Sequence, residues 1–63
     1  MLLYTKPNIV NADSFYTELL AAHRGLPEAE SHAMNARLVL ILANHIGDAE
    51  VLSQALALAK AAS

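Results

Sequence analysis

AMNARLVLILANHIGD, residues 33–48, is the stretch whose reading decides the fold. It is apolar on more sides than two neighbouring helices cover, yet it carries Asn35, Arg37, Asn44 and His45 along its length. At 100° per residue, Met34, Leu38, Ile41, Leu42 and His45 form one strip of a helix, and Ala36, Val39, Ala43 and Ile46 form a second beside it. Two strips suit two neighbouring helices. Leu40 falls on a third side, among Glu30, Ala33, Arg37 and Asn44, where a partner chain is the natural cover. One exposed leucine proves nothing alone. Here a polar frame surrounds it, with Arg37 and Asn44 two turns apart and Glu30 two turns before Arg37, as at the rim of an interface. Arg37, Leu40 and Asn44 are therefore the expected interface residues, and Asn35 adds a polar group near the apolar strips where a partner could fix register.

Working outward, Gly47 closes this helix and Asp48, a strong N-cap, opens the next, which continues to about Ala62. Its broad apolar face comprises Val51, Leu52, Ala55, Leu56, Leu58, Ala59 and Ala62. In the other direction the central helix begins at about Pro27, with Glu28 and Glu30 complementing its dipole. A first helix starts at Asn11 or Asp13 and runs to about Arg24, where Gly25 and Leu26 match a left-handed C-cap with its hydrophobic contact. Residues 1–10 read as an extended arm, because Pro7 lacks a backbone donor and biases Lys6 away from the helical region. Leu2, Leu3, Tyr4, Ile9 and Val10 give that arm side chains to bury on its own helices or on another subunit. The expected fold is all-α: one small domain over residues 1–63, an arm followed by three antiparallel helices in 11–63, pairing into a larger helical bundle.

Composition explains why pairing matters. A chain of 63 residues buries a smaller share of its surface than a domain of average length. Small domains compensate with disulfides, metals or oligomerisation, and with no cysteine the first route is closed. A homo-oligomer, with a dimer favoured, or docking on a larger protein becomes the expected solution. The net charge of −2 and only four basic residues, Lys6, Arg24, Arg37 and Lys60, leave no cationic stripe for phosphates. A helix-turn-helix regulator conflicts with the same balance, and no nucleic-acid partner is expected. The longest apolar run, Leu38 to Ala43, falls far short of the roughly 20 residues that span a bilayer, and the N-terminus lacks the basic start of a signal peptide. A cytoplasmic location with no membrane partner is the default expectation.

The residues with chemical potential are three histidines. Antiparallel packing sets His23 near His32, while His45 lies thirteen residues beyond His32, roughly 20 Å along the helix. One chain cannot bring all three to one ion, so no metal site is assigned. The alternative is a small metal- or ligand-binding protein that joins His45 to His32 of the partner subunit at an interface. His45 lies on an apolar strip and needs a hydrogen-bond partner if buried, with Tyr16 and Asp48 the nearest choices. A His-Tyr or His-Asp contact has the form of an acid/base pair, but no nucleophile or phosphate cradle accompanies it. His45, Tyr16 and Asp48 are accordingly expected to form a structural polar lock at the end of the central helix. No catalytic residue and no cofactor are expected.

The run NARLVLILANHIGD at 35–48, preceded by SFYTELLAAHRGL at 14–26 and followed by VLSQALALAK at 51–60, resembles a family of short proteobacterial proteins known only as a domain of unknown function, DUF2783. The likeness covers nearly the whole chain. Members often carry Ser where this chain has Pro27, which alters the cap of the central helix and not the fold. The resemblance implies no activity and no catalytic residue. Gene neighbourhoods of the family, beside flavin-dependent oxidoreductases of aromatic-compound breakdown, imply an accessory role. The combined expectation is a non-enzymatic interaction module that self-associates or serves as a small subunit of a larger catabolic enzyme.

Overall fold

A computed structural model describes residues 2–62; Met1 and Ser63, the outermost residues of the expected domain, lie outside it. Three helices follow an arm without regular secondary structure: α1 (Ala12–His23), α2 (Glu28–Ile46) and α3 (Ala49–Ala61). No strand occurs among the described residues, so the fold is all-α.

Local chemistry accounts for each boundary. Asn11 is the N-cap of α1, its amide oxygen accepting from the Ser14 backbone N–H at 3.3 Å. It does so with a left-handed backbone, φ 55° and ψ 63°, a conformation that asparagine tolerates better than most non-glycine residues. Helix α1 stops at His23, and the chain leaves it through a turn rather than the expected left-handed cap. Arg24 is extended (φ −60°, ψ 128°), Gly25 has φ 80°, and the Leu26 N–H donates to the His23 carbonyl at 3.1 Å. That is a type II turn, whose third residue requires positive φ, hence Gly25. Pro27 occupies the N-cap position of α2 without a side-chain cap, and its carbonyl accepts the Ser31 N–H at 3.0 Å. Gly47 (φ 69°) closes α2 by donating to the Ala43 carbonyl at 2.9 Å. Asp48 caps α3 at once, its carboxylate accepting from the Val51 N–H at 3.0 Å. The arm is fastened to α3 by a long-range bond, the Leu3 N–H donating to Gln54 Oε1 at 3.2 Å.

What these elements do not build is a closed core. Val51, 8% exposed, is the one buried apolar residue among those described. No helix packs closely along another. The radius of gyration is 13.3 Å, whereas a compact chain of this length has about 10.6 Å. The exposed surface is 5639 Å² for 6.7 kDa, against about 3,900 Å² for a compact monomer of that mass. About 1,700 Å² per chain is thus left in solvent beyond what folding of a closed domain of this size leaves.

Candidate interaction surface

Large apolar side chains are exposed on every element, the arm's Leu2, Tyr4, Ile9 and Val10 included, and α2 carries the longest unbroken run of them. Its central residues Val39, Leu40, Ile41 and Leu42 are 61%, 70%, 64% and 47% exposed, although consecutive residues on a helix point to all sides. The wheel anticipated that α1 and α3 cover two strips and leave Leu40 alone outside. Coverage is narrower. On the α1 side the large apolar residues Met34 and Leu38 are half-buried, and between them and Phe15, Leu19 and Ala22 an open apolar crevice of about 190 Å³ remains. On the α3 side only Ala43 is half-buried. There Val39, Leu42 and Ile46 face Leu52, Leu56 and Ala59 across a second open groove of about 450 Å³, almost wholly apolar in lining.

The reason is one of size. α1 and α3, with 12 and 13 residues, are each about 18–20 Å long, while α2 with 19 residues extends about 28 Å. The alanines of α3 are also too short to reach across. The flanking helices leave their own apolar surface open in turn, with Leu20 51%, Leu56 71% and Leu58 53% exposed.

Arg37, Leu40 and Asn44, the three expected interface residues, are all exposed. Arg37 and Asn44 make no side-chain hydrogen bond or ion pair among the described residues. They bracket Leu40 with donors and acceptors that have no side-chain partner among the described residues.

The polar lock expected of His45, Tyr16 and Asp48 does not form; a different one forms at the opposite end of α2. His45 and Tyr16 are exposed, Asp48 uses its carboxylate to cap α3, and no hydrogen bond joins the three among the described residues. The side-chain contact that ties α1 to α2 is made instead by His23. Its Nδ1 lies 3.0 Å from Ser31 Oγ and its Nε2 lies 3.1 Å from Asn35 Oδ1. A neutral imidazole protonated at Nε2 satisfies both, donating to the Asn35 amide oxygen and accepting the Ser31 hydroxyl proton. Asn35, expected to set register with a partner chain, thus fixes register between two helices of its own chain. The signal was present in the spacing: Ser31 and Asn35 are four residues apart on one face, opposite the last residue of α1.

His32 lies within 3.3 Å of Glu28 Oε1, one turn earlier on α2, in an exposed pair. Among the described residues no three histidine, aspartate or glutamate side chains converge in a way that could hold a metal ion. No helix among them is long and apolar enough to cross a membrane.

A family model described as a protein of unknown function, DUF2783, matches residues 3–61, which include most of the arm and all three helices. No curated protein and no solved structure matches the chain.

Proposed function

Since the chain belongs to the DUF2783 family of unknown function, which brings no activity to transfer, we propose from its surface that it is a non-enzymatic helical interaction module that self-associates, a dimer being the simplest form. The observation that carries this reading is the unclosed core. A chain with one buried apolar residue among those described, and about 1,700 Å² more exposed surface than its mass warrants, reaches a protein-like degree of burial only by sharing its core. Two such chains, each burying its surplus, form an interface of about 3,400 Å², within the range of obligate homodimers. We place the protein in the cytoplasm, in keeping with its acidic balance and its lack of cysteine.

The same apolar surface suits a small subunit seated on a larger catabolic enzyme, and co-purification from the native source tests that form. Self-association is tested by sedimentation equilibrium of the purified chain. The expected mass is a multiple of 6.7 kDa; a well-folded species at the single-chain mass overturns the reading.

A further inference from the structure

Resting on the self-associating reading, we propose that the occupant of the exposed α2 face is α2 of a second copy, packed antiparallel about a two-fold axis that passes between Leu40 and Ile41. Three observations fix this choice. The surplus surface has the size that a stable pair of such chains needs to bury, as worked above. Within α2 its longest unbroken apolar run is Val39 to Leu42, four consecutive exposed side chains.

The third observation is the placement of the polar residues. Arg37 lies three residues before Leu40 and Asn44 three after Ile41, so a two-fold axis between those leucine and isoleucine positions sets Arg37 level with the partner's Asn44, twice by symmetry. The Arg37 guanidinium donates to the amide oxygen, and each group, without a side-chain partner among the described residues, gains one. Leu40 and Ile41 each meet their own counterpart across the axis.

Other registers lack this complementarity. A one-turn slip in one direction sets Arg37 against the partner's Leu40, burying a cation on an apolar side chain. A slip in the other direction turns Arg37 to the partner's Asp48 but sets Ile41 against the partner's Asn44, covering a polar amide with an apolar side chain. A parallel pair sets Arg37 against itself, a like-charge contact, and aligns the two helix dipoles.

Because the chain contains no cysteine, single cysteine substitutions report the seam without background. Leu40→Cys and Ile41→Cys, each beside the axis, are expected to form disulfide-linked dimers under mild oxidation. Arg37→Cys is not, since its two copies lie seven residues apart in register, about 10 Å along the helix axis, beyond the roughly 7 Å between Cα atoms that a disulfide spans. An equimolar mixture of Arg37→Cys and Asn44→Cys chains is expected to link into heterodimers. Self-linking of Arg37→Cys as readily as Leu40→Cys overturns the antiparallel seam in favour of a parallel one. Failure of all these pairs to link, in variants that sediment as dimers, overturns it in favour of another face. A wild-type chain that sediments as a monomer overturns self-association itself, and the seam with it.

Discussion

Replacing Leu40 with glutamate separates assembly from the fold of the single chain. In the isolated chain the side chain is 70% exposed, so the substitution removes little that α1 or α3 contributes. Burying a whole leucine side chain is worth about 1.5–3 kcal/mol, so covering the exposed part is worth about 1–2 kcal/mol per chain. In the proposed dimer two copies meet, giving about 2–4 kcal/mol per dimer. At 1.4 kcal/mol per tenfold, loss of this contact weakens dimerisation roughly 30- to 1,000-fold. The introduced carboxylates act in the same direction, because each must be desolvated and the two face one another across the axis. Sedimentation velocity over a dilution series, with Ser53→Glu on exposed α3 surface as the control, measures the dissociation constant. A Leu40→Glu variant that dimerises as tightly as the wild type refutes the placement of Leu40 at the contact.

Three further outcomes are expected. His23→Leu deletes the bonds to Ser31 and Asn35 and is expected to cost about 1–3 kcal/mol, at about 0.5–1.5 kcal/mol per bond with water re-solvating the partners; differential scanning calorimetry should show melting lowered by several degrees, with His45→Leu changing it less. Asp48→Ala removes the cap on Val51 and should cost about 1 kcal/mol, largely restored in Asp48→Ser, read from urea midpoints. Added Zn²⁺ should leave the melting temperature unchanged; a rise abolished by His45→Gln instead supports the metal-binding alternative, with His32 supplied by a second copy.

The helices and their ends were legible because local forces set them. Asn11, Gly47 and Asp48 act within one turn of their own backbone, and those effects survive whatever the rest of the chain does. Leu40 was legible as an outward residue because helical period alone places it opposite both strips. Packing between helices was not legible to the same degree. The wheel shows which residues share a side and is silent on whether a neighbour is long or bulky enough to cover them, so Val39, Ile41 and Leu42 were expected to be covered and are exposed. The lock at His23 was missed for a related reason. His45 attracted attention by lying among apolar residues, whereas the contact that forms depends on the type II turn at Arg24 and Gly25, which brings the end of α1 to Ser31 and Asn35.

The central claim, that this chain completes its core only by association, is tested most directly by thermal unfolding over a hundredfold range of protein concentration. A folding reaction coupled to dimerisation gains stability by mass action, about 1.4 kcal/mol of dimer per tenfold in concentration. With an unfolding entropy of about 2.1 cal/mol/K per residue over two chains, that corresponds to about 5 °C per tenfold, or about 10 °C across the range. A midpoint that climbs by that amount bears out the shared core. A cooperative transition at the same temperature throughout contradicts it.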